Sequence, residues 1–216
     1  MPVPTTGARA SELLRGAPWV FGVAGLWGPL HVGGRSLGLW LAERFAETPQ
    51  SANLIAELTS LVVALAVDPL FYTLILAALL RVFEPGRGFG AVVWRLLLPT
   101  YAAMTVMDLG MVIIVPGLAI WGVLGLAVDP LAFVRREPWG PRASPRRWWG
   151  MGSAMGLVMV LYLPSALWLV YEVQGHWAAE LAYHLAWRVL AIAVLVLWVA
   201  TSPSLDGPPE SVPREG

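Results

Sequence analysis

The sequence contains no cysteine and no lysine, and charged residues of either sign are few. The lack of cysteine excludes disulfides, thiol catalysis and cysteine-based metal sites. All 14 basic residues are arginine, and charged residues make up only 13% of the 216 residues, against 57% hydrophobic ones. A soluble domain of this size needs more charge to cover its surface, so the composition predicts a polytopic membrane protein.

Long apolar stretches predict an all-α bundle of about six transmembrane helices, because the hydrocarbon core needs about 20 apolar residues per helix. The first stretch has no small-residue cleavage site after it, so we interpret it as a retained helix and not as a signal peptide. Ser11 is placed to cap a short interfacial helix before it. The predicted spans are residues 17–41, 54–80, 89–107, 109–134, 150–171 and 181–201.

These spans form a single predicted transmembrane domain, residues 1–201. The remaining residues, 202–216, include four prolines and several polar side chains. Such a segment buries too little apolar surface to fold, so we expect a disordered cytoplasmic tail.

The distribution of arginine predicts the orientation of the chain. Arginines cluster before the first predicted span, after the second and after the fourth, which places them all on one side. Excess basic residues mark the cytoplasmic side, so both termini are predicted to be cytoplasmic in a bacterial plasma membrane. A five-span alternative without the first span moves only the N-terminus outside, and Arg9 and Arg15 argue against it.

The hexapeptide Leu-Ala-Val-Asp-Pro-Leu occurs twice, at residues 65–70 and 126–131. Both copies lie on spans of the same direction, which suggests a parallel internal repeat. Asp-Pro is a strong helix-start pair, since Asp caps free backbone N–H groups and Pro suits the first helical position. Asp68 and Asp129 are therefore each predicted to begin a helical segment, either as a structural kink or as an ion or substrate position.

Three polar residues of the last span, Glu180, His184 and Arg188, are spaced four apart and share one helix face. Arg188 lies well inside the span, where an unpaired charge costs about 2.5–3.5 kcal/mol. We predict that it pairs with Asp68, which lies at comparable depth. The resulting candidate intramembrane polar site is either a proton or anion relay or a polar clamp between helices, and consists of Asp68, Asp129, His184 and Arg188.

Five arginines and three tryptophans crowd the connection after the fourth span, residues 135–149. Arginine beside interfacial tryptophan suits anionic lipid headgroups, although positive charge that keeps the connection inside is a sufficient reason for it. The candidate headgroup residues are Arg135, Arg136, Arg142, Arg146, Arg147, Trp148 and Trp149.

Several chemistries find little support in the sequence. His31, which has glycine neighbours, could ligate a porphyrin, but an ordinary interfacial histidine is the simpler interpretation. Three scattered histidines without clustered carboxylates predict no metal site. No serine-hydrolase or phosphate-loop motif is present, so we expect no catalytic residues and no cofactor. The glycines of Gly34-x-x-x-Gly38 favour close helix packing.

Five short segments have a distinctive order of residues, namely Ser11-Glu12-Leu13-Leu14-Arg15, Val115-Pro116-Gly117-Leu118, Asp129-Pro130-Leu131, Arg135-Arg136-Glu137 and Arg146-Arg147-Trp148-Trp149-Gly150. With these segments the chain resembles bacterial integral membrane proteins that are similar to the membrane domain of glycerophosphodiester phosphodiesterases. The resemblance implies a six-helix bundle of unknown role, for which envelope or lipid homeostasis is one candidate. It carries over no catalytic residue, because that membrane domain is not the hydrolase domain.

Three functions follow, in order of preference. The first is a non-enzymatic structural, accessory or permease-like component of the cell envelope. The second is a small transporter or channel that uses the intramembrane Asp, His and Arg residues. The third is a lipid-active enzyme, for which only Glu172, His176 and Glu180 cluster on the outer side. The expected partners are the lipid bilayer and another membrane protein or a second copy of the chain, and no nucleic acid.

Overall fold

The protein was analysed as a computed structural model that describes residues 4–111, 128–135, 149–150, 152–154, 157–158, 160–161 and 176–206. Every regular element in these ranges is helical, so the all-α prediction is confirmed for them. The elements are α1 (Thr6–Gly16), α2 (Val20–Phe45), α3 (Pro49–Phe83), α4 (Phe89–Met111), α5 (Pro130–Arg135) and α6 (Trp177–Ala200), followed by a 3-10 turn at Pro203–Leu205.

Two of the described helices, α3 and α6, are long and apolar enough to cross a membrane, with 35 and 24 residues. At 1.5 Å per residue α3 is about 52 Å long, which exceeds the ~30 Å hydrocarbon core. The predicted spans 17–41, 54–80, 89–107 and 181–201 fall on α2, α3, α4 and α6 in turn. The other two predicted spans lie largely outside the described residues.

Helix α2 lies between α3 and α6, and glycines allow the close approach. A Cβ atom at Gly34 would lie 2.7 Å from a methyl carbon of α3, and one at Gly38 would lie 2.8 Å from the carbonyl oxygen of Ala56. The close packing expected at Gly34-x-x-x-Gly38 is therefore present. On the side facing α6, a Cβ atom at Gly28 would lie 3.0 Å from Leu185.

Both neighbours of α2 run antiparallel to it and thus parallel to each other. Residues later in α2 contact residues earlier in α3 and earlier in α6. The contacting pairs are Trp27 with Asp68 and Gly38 with Ala56 for α3, and Trp27 with Arg188 and Arg35 with Glu180 for α6.

The two ends of the described chain meet at one end of the bundle. Arg9 of α1 is buried and donates hydrogen bonds to the carbonyl oxygens of Ala200 and Leu205. Its guanidinium also pairs with Asp206 at 2.8 Å. Since Arg9 lies near the start of the chain and Asp206 just after the last helix, both ends lie on the same side of the bundle.

The hydrophobic core fills this same end. It joins the C-terminal halves of α3 and α6 to α1, α5 and the N-terminal halves of α2 and α4, and Trp27 is the largest side chain buried in it. Fully buried core residues include Leu13, Val20, Trp27, Ile75, Leu79, Leu80, Leu131 and Val199.

The predicted cap of the N-terminal helix is wrong. Helix α1 is present, but it begins at Thr6 and its cap is Thr5, whose hydroxyl oxygen accepts a hydrogen bond from the Ala8 amide at 3.2 Å. Ser11 lies one and a half turns inside the helix, where its hydroxyl oxygen accepts hydrogen bonds from Arg15. Thr and Ser are both good caps, and the better-placed Thr sets the start.

The predicted helix start at Asp68-Pro69 is also wrong, because α3 continues through it without interruption. Proline inside a helix has no N–H group, so Pro69 leaves the carbonyl oxygen of Leu65, four residues earlier, without its helical donor. The hydroxyl of Tyr101 on α4 donates to the next carbonyl oxygen, that of Ala66, at 2.7 Å. A neighbouring helix therefore donates to the α3 backbone close to the proline, and such donors help a helix to tolerate an internal proline.

At the second copy of the hexapeptide the helix-start prediction is confirmed. Asp129 precedes α5, and its Oδ1 accepts hydrogen bonds from the amides of Leu131 at 3.0 Å and Ala132 at 3.3 Å. The same six residues therefore lie inside a long helix in one copy and at a helix start in the other. The parallel repeat stays a prediction.

The beginning of the predicted disordered tail is ordered, which corrects that prediction for residues 202–206. Ser202 and Ser204 are buried, and both hydroxyls donate to the carboxylate of Asp129. A buried carboxylate needs such donors, so it holds this polar stretch in place. Residues 207–216 lie outside the described residues.

Candidate functional site

A polar cluster forms near the middle of α2, α3 and α6, where His31, Asp68 and Arg188 meet. The Nε2 atom of His31 lies 2.5 Å from Asp68 Oδ1, and Arg188 Nη2 lies 2.8 Å from the same histidine nitrogen. Arg188 Nη2 is also 3.6 Å from Asp68 Oδ1. The predicted ion pair between Asp68 and Arg188 is therefore confirmed, with His31 placed between the two charges.

Trp27 supports both charges of the pair from within the core. Its indole N–H donates to Asp68 Oδ1 at 2.6 Å, and the guanidinium carbon of Arg188 lies 4.0 Å from the centre of its ring. An indole can serve both ions, since its N–H is a donor and its π face attracts cations. Phe71 and Tyr72 of α3 pack against Trp27 and fix its orientation.

His184 lies beside this cluster, as expected. Its ring stacks on that of His31, with centroids 5.2 Å apart and planes 23° apart. Tyr183 meets His184 edge-on, at 5.5 Å. The two imidazoles therefore lie face to face on neighbouring helices, next to a carboxylate and a guanidinium.

A second ion pair lies about one turn beyond His31 on α2. Arg35 Nη1 donates to Glu180 Oε1 at 2.6 Å, and Glu180 is buried although it is the acidic residue of the first turn of α6. With His184 and Arg188, this places all three polar residues of α6 against α2, which confirms that they share a face. It also removes Glu180 from the candidate lipid-active cluster, of which Glu172 lies outside the described residues.

These contacts form a three-rung ladder between α2 and α6. On α2 the residues Trp27, His31 and Arg35 are spaced four apart, and on α6 the residues Glu180, His184 and Arg188 have the same spacing. Because the helices are antiparallel, the spacing pairs Trp27 with Arg188, His31 with His184 and Arg35 with Glu180. Asp68 of α3 approaches the ladder at its Trp27 and His31 positions.

Sequence reasoning missed the α2 half of the ladder. His31 was interpreted as an interfacial residue, whereas it contacts Asp68, His184 and Arg188 between three helices. The signal that could have found it is the matching four-residue spacing of Trp27, His31 and Arg35. Two antiparallel helices with equal polar spacing can align all of these residues in one register.

The structure does not bring Asp129 to the other three predicted site residues. Its carboxylate accepts hydrogen bonds from Ser202, Ser204 and the first turn of α5. The partners of Asp68 are different ones, namely Trp27, His31 and Arg188. Asp129 therefore caps a helix and holds the C-terminal turn, while Asp68 belongs to the cluster.

The predicted headgroup connection is represented by two of its residues. Arg135 points inward, since its Nε donates to Glu84 Oε1 at 2.6 Å and its Nη1 donates to the carbonyl oxygen of Ser204 at 3.0 Å. Trp149 is 79% exposed, as suits a residue at a membrane surface. Arg136, Arg142, Arg146, Arg147 and Trp148 lie outside the described residues.

Within the described part of the chain, no three His, Asp or Glu side chains are grouped so that they could hold a metal ion.

The ladder and Asp68 together carry no net charge when both histidines are neutral, because Asp68 offsets Arg188 and Glu180 offsets Arg35. A proton or ion that binds among these residues therefore adds a net charge to the group.

No protein family, curated protein or solved structure matches the chain.

Proposed function

We propose that the chain is a multi-pass integral membrane protein of about six spans, in a bacterial plasma membrane with both termini cytoplasmic. Two apolar helices of sufficient length support the membrane location. The contact of Arg9 with Asp206 supports an even number of spans, since it places both ends on one side. Arg135 and Glu84 lie at that same end, and the arginines there support the cytoplasmic assignment.

Within that class, we propose that the cluster serves a small transporter or channel for ions or protons. The observation that carries this proposal is the meeting of His31, Asp68 and Arg188 within 3.6 Å between helices of the bundle. Ionisable groups at membrane depth are costly and most often mark ion or proton paths. Buried ion pairs add little stability compared with apolar packing, so packing alone is a weak reason for two of them side by side.

The competing proposal is a structural, accessory or permease-like component in which the ladder is a polar clamp. The charge balance favours it, because Asp68 with Arg188 and Glu180 with Arg35 cancel in pairs. Such a clamp fixes the register of α2 against α6, since a shift of one residue separates every rung.

An ion-flux measurement in liposomes distinguishes the two roles. The purified chain is reconstituted with an internal fluorescent indicator for the ion under test, and proton, sodium, potassium and chloride gradients are imposed in turn. We expect flux above that of empty vesicles for at least one ion, and a loss of tenfold or more in Asp68→Asn. Glu47→Gln, an exposed carboxylate beyond the far end of α2, is the matched control and keeps the wild-type rate.

Equal leakage from protein-containing and empty vesicles, with folded protein confirmed by circular dichroism, would exclude transport and leave the clamp as the conclusion. Flux that persists in folded Asp68→Asn would place the path away from the cluster.

A further inference from the structure

The Nε2 atom of His31 has two partners with opposite requirements. It lies 2.5 Å from Asp68 Oδ1 and 2.8 Å from Arg188 Nη2. An ionised carboxylate only accepts hydrogen bonds, so it needs a proton on Nε2. A guanidinium only donates, so it needs the lone pair of Nε2. One ring nitrogen offers a proton or a lone pair, and never both at once.

No position of the proton satisfies all three groups. With the proton on Nε2, His31 donates to Asp68 and Arg188 loses its acceptor. With Nε2 unprotonated, Arg188 donates to His31 and the carboxylate loses the imidazole. With the proton on Asp68, both neighbours donate toward a single lone pair, and only one of them is satisfied.

Asp68 and Arg188 each have a second partner, which remains whether His31 is hydrogen-bonded to Asp68 or to Arg188. Asp68 keeps the indole N–H of Trp27 at 2.6 Å, and Arg188 keeps the face of the same indole at 4.0 Å. Neither charge is therefore left alone in either arrangement. The cluster therefore admits two hydrogen-bond arrangements in which each charge keeps a partner, and a switch requires two such states.

Arg188 is also incompletely held. Its Nε is buried and has no hydrogen-bond partner among the residues that the structure describes. A guanidinium has five N–H groups, and a buried N–H without a partner costs free energy in this arrangement. Arg188 can therefore leave His31 without breaking a complete set of hydrogen bonds.

We propose that His31 is a proton-binding switch, in which protonation of Nε2 transfers His31 to Asp68 and releases Arg188. The proposal deepens the transport function and rests on it for its physiological role, with the proton as the transported or coupling ion. The described charged and titratable groups around His31 are Asp68 from α3, Arg35 on its own helix, and Glu180, His184 and Arg188 from α6.

Stacking with His184 restricts the switch to one proton at a time. Protonation of both rings would place two cations 5.2 Å apart, beside a third on Arg188. Like charges at that separation repel strongly in a low-dielectric site. Asp68 contacts His31 directly, so His31 is the ring on which the single proton is best compensated.

Nuclear magnetic resonance of the histidine rings tests the proposal in the full chain. The protein has only three histidines, so ring-labelled histidine gives few signals, and His176→Gln and His184→Gln assign them. We expect the signal of His31 Nε2 to change between its protonated and unprotonated forms as the pH of the sample is varied. The side-chain signals of labelled Arg188 should move over the same pH range.

Variants test the two partners separately. Asp68→Asn should lower the fraction of His31 rings that carry a proton on Nε2 at a fixed pH by at least twofold, and Arg188→Gln should raise it. Arg44→Gln, an exposed arginine at the far end of α2, is the control and should change nothing.

A single protonation state of His31 Nε2 across the whole pH range in the wild-type chain would overturn the proposal, whether or not the variants fold. Arg188 signals that do not respond to the titration of His31 would overturn it too. Failure of the transport function is distinguishable, since it gives no liposome flux while the His31 and Arg188 signals still change together.

Discussion

At the scale of single residues, the cluster shows why a charged side chain in an apolar bundle needs several partners. Asp68 Oδ1 is contacted by Trp27, His31 and Arg188, so one oxygen is shared by an indole, an imidazole and a guanidinium. The indole is neutral whatever the pH, and it keeps its contacts with both charges in both arrangements of His31. Trp27 therefore positions the charges and is not itself a charged participant.

The contribution of Trp27 can be measured by Trp27→Phe, which keeps an aromatic ring and removes the N–H donor. A hydrogen bond to a charged group contributes about 1.5–3 kcal/mol, so we expect a loss of roughly 2 kcal/mol in the free energy of unfolding. The measurement is unfolding in mixed micelles, followed by circular dichroism. Trp40→Phe, on the same helix with 46% of its side chain exposed, is the control and should have little effect. An unchanged stability in Trp27→Phe would show that the indole N–H is not needed by Asp68.

At the scale of helices, the sequence predicts what depends on neighbouring residues and misses what depends on register. The cap at Asp129 was predictable because Asp-Pro favours a helix start, and its carboxylate does accept hydrogen bonds from the first helical amides. The face shared by Glu180, His184 and Arg188 was predictable from spacing alone. The contact of His31 with Asp68 was not predictable, because it depends on the axial register of α2 against α3. The apolar sequence of the two helices does not determine that register.

The proline in α3 also shows that local sequence alone does not decide the structure. Asp68-Pro69 and Asp129-Pro130 are identical in sequence with their neighbours, yet only the second begins a helix. The difference comes from tertiary partners. Tyr101 supplies a donor to the α3 backbone near Pro69, and Ser202 and Ser204 supply donors to Asp129. Local preference for a helix start was equal at both sites, and packing decided between them.

The register of α2 against α3 depends on the close approach at Gly38, so the addition of a single methyl group tests it. In Gly38→Ala the new methyl group would lie 2.8 Å from the carbonyl oxygen of Ala56, a backbone atom that cannot rotate away. We expect a cost of about 1–3 kcal/mol, typical of overpacking, and a shift that weakens the contact of His31 with Asp68. Gly33→Ala is the matched control, since its Cβ atom would meet no described atom within 4 Å. Equal melting temperatures for the two variants would contradict the close approach of α2 and α3.

At the scale of the whole molecule, polar contacts are divided between the middle and one end of the bundle. The end contains a second set of charges, in which Arg9 binds Asp206 and Arg135 binds Glu84, and Asp129 binds the serines of the C-terminal turn. This set ties the first helix to the last residues described. The first helix and the last described residues are therefore fixed to each other. The ladder lies near the middle of the bundle, at the edge of the hydrophobic core that fills this end.

The common position of the two ends predicts their accessibility in a membrane. The absence of native cysteine permits single-cysteine labelling with a membrane-impermeant maleimide in intact cells and in inverted vesicles. We expect Ser11→Cys and Asp206→Cys to react from the same side, the cytoplasmic one, because Arg9 joins α1 to the C-terminal turn. Glu47→Cys, in the connection between α2 and α3, should react from the opposite side. Labelling of Ser11→Cys and Asp206→Cys from different sides would contradict the paired ends. Labelling of all three from one side would show that α2 does not cross the membrane, while the number of spans would remain even.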